Sequence, residues 1–120
     1  MRYAILAYHE EQKISAMTSG EDAALMENLL EIQGRKVADG SLGPQVRLGA
    51  TRDAFTLRAR GAVIDGPFAE TKEHLLGLYV IDCETRDEVI AFARDLQQVN
   101  PTAVYEIRPV LLYVPGAPLA

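Results

Sequence analysis

Two stretches of this chain are apolar on both of the faces that a β-strand presents. Along residues 2–8 the alternating sets are Tyr3, Ile5 and Ala7 on one side and Ala4, Leu6 and Tyr8 on the other, and Leu75 to Ile81 repeats the pattern. A strand that is apolar on both faces is one that is covered on both faces. Any fold for this chain must therefore supply two covering layers.

One layer is readable as helix. Thr18-Ser19-Gly20-Glu21 matches a capping box, in which a hydroxyl and a carboxylate satisfy the orphan amides of a helix start. Met26, Leu29, Leu30 and Val37 follow at helical spacing, which predicts an amphipathic helix over about residues 20–38 that stops near Asp39-Gly40. Gly34 inside it suggests a close packing contact. Thr85-Arg86-Asp87-Glu88 is a second capping box, followed by Val89, Phe92, Ala93 and Leu96 at helical spacing, with Asn100-Pro101 as the stop. Between these helices, Val46-Arg47-Leu48, Phe55-Thr56-Leu57 and Ala62-Val63-Ile64 read as short strands of a meander or hairpin punctuated by Gly49, Asp53 and Gly61. Val104 to Val110 is the last strand, with Tyr105 and Ile107 on one face and Val104, Glu106 and Arg108 on the other. The tail, about residues 112–120, reads as loosely held.

The order is β-α-β(hairpin)-β-α-β, a ferredoxin-like α+β sandwich with two helices on one face of an antiparallel sheet. In this topology strand one lies beside strand 75–81 and is expected parallel to it, which puts His9 and His74 at opposite strand ends. Two helices cover one sheet face only. For the other, an identical sheet from a second subunit is the simplest cover, so a homodimer through the sheet face is expected.

At 120 residues the chain is expected to be one domain, 1–120, large enough to bury about two-thirds of the surface its unfolded form exposes. A net charge of −5 without a basic cluster weighs against nucleic acid as a partner. The nearest approach to such a cluster, Arg47, Arg52, Arg58 and Arg60, reads as the charged edge of a sheet or as an anion-binding lip. The opening apolar run is too short for a signal peptide or a membrane span, and the lone Cys83 has no disulfide partner, so a cytoplasmic location is expected.

The most distinctive segment is Asp65-Gly66-Pro67-Phe68-Ala69-Glu70-Thr71-Lys72-Glu73. Asp-Gly-Pro cannot continue a strand, because glycine frees the backbone while proline fixes φ and removes a donor. Two readings stand: a structural turn in which Asp65 caps amides of its own loop, or a loop at a pocket mouth that presents Asp65 and Glu70 to a ligand. Tyr8 and Tyr79 sit on central strands, where a ring packs and a hydroxyl can line a cavity. Arg108 can clamp a carboxylate or pair with Glu106. His9, at the end of strand one, would become a general base if it reached Asp65. Two histidines and one cysteine at unrelated spacings make no metal site, and no phosphate-cradling loop or nucleophile elbow is present.

Asp65-Gly66-Pro67-Phe68, followed by Glu70-Thr71-Lys72-Glu73 and Gly77-Leu78-Tyr79-Val80-Ile81-Asp82, resembles the signature of the DGPF branch of the YCII-related family, and the resemblance runs from Tyr3 to Val110. It implies a ferredoxin-like fold and face-to-face dimers of the dimeric α/β-barrel group, whose members hold small organic, often ring-shaped, molecules between sheet and helices. It also implies a functional link to extracytoplasmic-function sigma factors. The histidine suggested for the wider family near the start of its first helix has no counterpart at Glu21, Asp22, Ala23 or Ala24.

Three functional readings follow. The first is an enzyme with neither metal nor organic cofactor doing isomerase- or lyase-type acid–base chemistry on a small organic acid or ring. Asp65 and His9 would be its catalytic pair, and Tyr8, Gly66, Pro67, Phe68, Glu70, Tyr79 and Arg108 would bind the ligand. The second is a small-ligand-binding or regulatory module tied to a sigma factor. The third is a structural dimer.

Overall fold

The computed structural model describes residues 1–119. Strand β1 (Arg2–His9) leads through a single turn of helix, α1 (Glu11–Ser15), into the long helix α2 (Ser19–Ala38). Strand β2 (Leu42–Arg47) follows, then a hairpin of β3 (Phe55–Leu57) and β4 (Val63–Asp65), strand β5 (His74–Asp82), helix α3 (Arg86–Val99) and strand β6 (Val104–Pro109). The main sheet has the order β2-β5-β1-β6, and every neighbouring pair is antiparallel. This α+β arrangement is compatible with a ferredoxin-like sandwich.

The expected parallel pairing of strand one with strand 75–81 is wrong. β1 and β5 run antiparallel, and His9 pairs with His74 in register. The reason lies in the split βαβ plan. β1 and β2, joined through α2, run the same way and flank β5; β5 and β6, joined through α3, do the same around β1. Each inserted strand must oppose both its neighbours, so the two histidines meet at one end of the sheet.

The second correction concerns the central β region. Residues 46–48 do not belong to the hairpin, since β2 starts at Leu42 and pairs with β5 at the sheet edge. Its register slips between Leu42 and Gln45, where Pro44 has no amide to donate. β3 and β4 alone make the hairpin, as a separate two-stranded sheet.

Both capping sequences act at helix starts. The Thr18 hydroxyl accepts from the Glu21 amide at 3.1 Å while the Glu21 carboxylate accepts from the Thr18 amide at 3.0 Å. At α3 the box is half formed: Thr85 accepts from the Glu88 amide, but the Glu88 carboxylate takes the amide of Glu84 instead. In α3 the four stripe residues Val89, Phe92, Ala93 and Leu96 are all buried. In α2 the stripe lies elsewhere than expected. Leu29 and Gln33 are buried, Leu25, Met26 and Ile32 pack partly, and Leu30 and Val37 face outward. Nor does Gly34 mark a contact, because a Cβ there would meet nothing within 4 Å.

The core forms where both long helices meet the sheet face carrying Ile5, Tyr79 and Ile81. On the opposite face, the cross-strand pairs Ala4–Val80 and Leu6–Leu78 carry no helix. The tail leaves β6 with the Val110 amide bonded to the Arg2 carbonyl, and the Arg2 guanidinium sits 4.9 Å from the centre of the Tyr113 ring. Beyond that contact Val114 and Leu119 are exposed, as are Leu111 and Leu112 before it, while Ala120 lies outside the described residues. Among the described residues no helix is long and apolar enough to cross a membrane.

Candidate functional site

The sheet does not close fully against α2. A chamber of about 710 Å³ opens between them toward the His9 end of β1. Its walls are apolar, with Ile14 from α1, Leu25, Met26 and Leu29 from α2, and Leu76 from β5. Against these walls stand a few polar groups: His9, Gln33, Tyr79, Asn100 and Tyr105. A concave, mostly apolar space with a few converging polar groups is the ordinary form of a small-molecule site.

β1 alternation puts His9 on the helix side with Ile5 and Ala7, and only 5% of the residue is exposed. Both ring nitrogens have partners. Nδ1 lies 3.1 Å from the Glu10 carbonyl oxygen, and Nε2 lies 2.7 Å from the Thr102 hydroxyl. A carbonyl can only accept, so Nδ1 carries the proton of the neutral ring. Nε2 is then the acceptor, and Thr102 donates to it. The ring is held in the tautomer that a base needs.

Tyr79 is buried on β5, and its hydroxyl accepts a 2.9 Å hydrogen bond from the Gln33 side-chain amide. Its own proton is left free to donate. Burial pushes the Tyr79 hydroxyl above its usual pKa, partly offset by the Gln33 bond. Burial, reinforced by Tyr79, likewise drives Tyr105 upward. Both phenols therefore stay protonated at neutral pH. At the chamber mouth, the Glu11 carboxylate accepts from the Thr51 amide at 3.2 Å. Arg47 is held by Asp22 at 2.7 Å, and this bond keeps the Asp22 carboxyl below its usual range. Among the described residues Arg52, also at the mouth, has no ion pair.

A second, more open hollow of about 1060 Å³ lies on the other side of Tyr8, Leu48, Gly49 and Ala50, which line both spaces. It is bounded by Pro67 and Phe68 on one side and by His74 and Leu75 on the other.

The sequence-derived candidates divide accordingly. His9 and Tyr79 line the inner chamber, Tyr8 lines both spaces, and Pro67 and Phe68 border the outer hollow. Gly66 takes φ +106 and sends its amide to the Ala54 carbonyl at 2.7 Å. Asp65 is exposed at the end of β4 opposite Phe55, and neither it nor Glu70 lines either space. Arg108 is exposed on β6 and bonded to Glu106. His9 is thus placed without Asp65, and its partners are Glu10 and Thr102. Cys83 is buried, and burial pushes its thiol up, which makes it unreactive.

Sequence reasoning missed Gln33, Tyr105, Glu11 and Thr102. Gln33 had a signal: it continues the Met26–Leu29 stripe by one turn, so a polar residue there had to face the core. Thr102 follows a helix stop and carries no such signal.

A family model described as the YCII-related domain matches residues 1–113. An uncharacterised protein of Rhizobium meliloti (strain 1021) is 50% identical over 120 residues, spanning 97% of each chain.

Proposed function

The chain belongs to the YCII-related family, and on that footing we propose that it binds a small, largely apolar organic molecule between sheet and α2 and moves a proton on it with His9. The observation that carries this reading is a buried histidine on the wall of an apolar chamber, with Nδ1 fixed by the Glu10 carbonyl. In the reaction, Nε2 takes a proton from a carbon acid once the substrate displaces the Thr102 hydroxyl. The Tyr79 hydroxyl, its oxygen already supplied by Gln33, donates to the oxygen on which charge develops. Return of the proton to another carbon completes an isomerisation. Departure of a leaving group instead completes an elimination.

One observation favours a second reading. Both His9 nitrogens are already satisfied by the protein, as in a histidine that only braces a wall, and the chain would then be a ligand-binding module. The two part in a single experiment. In D2O, NMR follows exchange of carbon-bound protons in small 2-oxo acids and cyclic enones, while 8-anilinonaphthalene-1-sulfonate fluorescence reports occupancy of the chamber. We expect one saturable site per chain, lost in Met26→Trp, whose indole would occupy the chamber from its α2 wall. We expect exchange to fall about 10²-fold or more in His9→Gln. Saturable binding without exchange would leave the module reading. Absence of saturable binding would remove both.

The bare sheet face supports a homodimer. Ala4, Leu6, Leu78 and Val80 form a central, half-buried apolar strip that carries no helix and is approached by Tyr113 of the tail at its Arg2 end, and a second sheet would cover it.

A further inference from the structure

We propose that the β3–β4 hairpin and the loop behind it form an arm that grips a second copy of this chain, laying Phe55, Leu57 and Val63 against the partner beside its bare sheet face. The inference rests on the sheet-face dimer and adds a second element to it.

The hairpin has no core of its own. The register pairs Phe55 with Asp65 and Leu57 with Val63, so Phe55, Leu57 and Val63 share one face, and they are 74%, 71% and 64% exposed. Phe68, just behind them, is exposed as well. An isolated two-stranded hairpin is marginal in water, and exposed contiguous apolar residues of this size mark a contact surface. Yet the arm is built to a definite shape. The Gly66 amide bonds to the Ala54 carbonyl, the Thr56 hydroxyl to the Gly66 carbonyl and the Arg58 amide to the Ala62 carbonyl, at 2.7–2.8 Å. The Arg58 guanidinium also covers one face of Phe68, 5.2 Å from its centre. These ties are internal to the arm: they hold its form and hide none of its apolar face.

Two observations point to a second copy as the occupant. The first is continuity. The outer hollow runs from Pro67 and Phe68 to Tyr8 and Leu75 at the end of the bare sheet face, so arm and sheet face adjoin. The second is charge. The hairpin, residues 55–65, holds Arg58 and Arg60 against Asp65 alone, and neither arginine has an ion pair among the described residues, whereas the rest of the chain holds ten Lys or Arg against sixteen Asp or Glu. A basic arm suits an acidic body, and the acidic body at hand is this chain's own. With two-fold symmetry each copy offers one arm and receives one. A net charge of −5 sets the whole molecule against anionic membranes and nucleic acid.

The test is sedimentation equilibrium of the full chain. We expect a wild-type dimer at micromolar concentration, and a dissociation constant at least 100-fold higher for Phe55→Ser with Leu57→Ser and Val63→Ser. Because all three side chains are exposed, the melting of the monomer should be unchanged. Arg58→Glu with Arg60→Glu should weaken the dimer about tenfold at low salt and less at 0.5 M, where screening shortens the reach of charge; this pair keeps the test alive should the serine variant misfold. A benzophenone placed on Arg60→Cys should crosslink to the partner chain, since buried Cys83 leaves residue 60 as the site of labelling. A dimer untouched by the arm variants, or crosslinks confined within one chain, would overturn the arm and leave the sheet-face dimer standing. A dimer insensitive to Leu78→Lys would overturn the sheet face instead. A wild-type monomer would overturn both.

Discussion

Along β5 the residues facing the helices, Gly77, Tyr79 and Ile81, are all buried, whereas along β3 and β4 Phe55, Leu57, Val63 and Ile64 stay between 54% and 74% exposed. Residue types do not separate the two regions, since both are rich in aromatic and branched side chains. What separates them is the layer that lies against each strand. β5 sits in the middle of the sheet with α2 and α3 across it, and the hairpin has only its other strand. The helix-backed half therefore carries the stability and encloses the chamber. The hairpin keeps its apolar surface available for a partner.

Removal of core volume should show the contrast most strongly. Phe92 is almost fully buried on α3 and meets Tyr79 edge-on, with ring centres 6.1 Å apart. Phe92→Ala should lose about 3–5 kcal/mol in urea denaturation, the range for a buried phenylalanine whose cavity cannot collapse fully. Phe55→Ala, measured at a concentration at which the chain is monomeric, should stay within about 0.5 kcal/mol of wild type. Equal losses at the two sites would mean that the arm is folded into the body after all.

Glycine gives the same comparison at lower amplitude. Gly66 holds φ +106 in the arm, where a branched side chain is strained even though nothing lies within 4 Å of a Cβ there. Gly66→Val should lose about 1–3 kcal/mol, the usual range for a side chain forced into such a conformation. Gly34, in the interior of α2 with equally open space, should behave in the opposite way. Gly34→Ala is expected to gain about 0.5–1 kcal/mol from helix propensity alone. Thermal melts of the two variants should therefore move in opposite directions.

How much of this was legible depended on whether a signal was local. The capping box at Thr18, the Thr85 cap and the α3 stripe are patterns within one turn or two, and they read correctly except that the Glu88 carboxylate turns to the Glu84 amide. Gly66 was legible for the same reason, because Asp-Gly-Pro constrains its own backbone. The α2 stripe was displaced because Leu30 and Val37 are apolar residues on an outward face, and apolarity alone does not say which way a helix turns. The direction of β5 relative to β1 was misjudged although the topology was right. That error separated His9 from His74, which in fact meet. The site suffered most. His9 was a candidate, but Asp65 beside it was an inference from motif to contact. The chamber instead assembles Gln33, Tyr79 and Tyr105 from α2, β5 and β6, positions that no short-range pattern connects.

The last expected effect bears on the buried side of the comparison, where a hydroxyl is both a packing group and a titratable one. Tyr79→Phe removes the acceptor of the Gln33 amide and leaves that donor facing the chamber. The loss near neutral pH should be about 1 kcal/mol, the net worth of an ordinary hydrogen bond. Its pH dependence is more diagnostic than its size. Burial raises the Tyr79 pKa in the folded state above the usual value of 10.0. Below pH 10 both folded and unfolded chains keep the proton, and the stabilisation is whole. Above pH 10 the unfolded chain gives up its proton while the folded one retains it, so stability falls as pH rises. Tyr105 titrates in the same sense, and so does Cys83 from pH 9 upward. Tyr79→Phe should therefore be less stable than wild type at pH 7 and lose stability less steeply between pH 10 and 11. Urea midpoints at the three pH values decide it. Parallel losses in the two proteins would mean that the Tyr79 hydroxyl titrates as freely in the fold as outside it, and the chamber would then be wet enough to rob His9 of its dry wall.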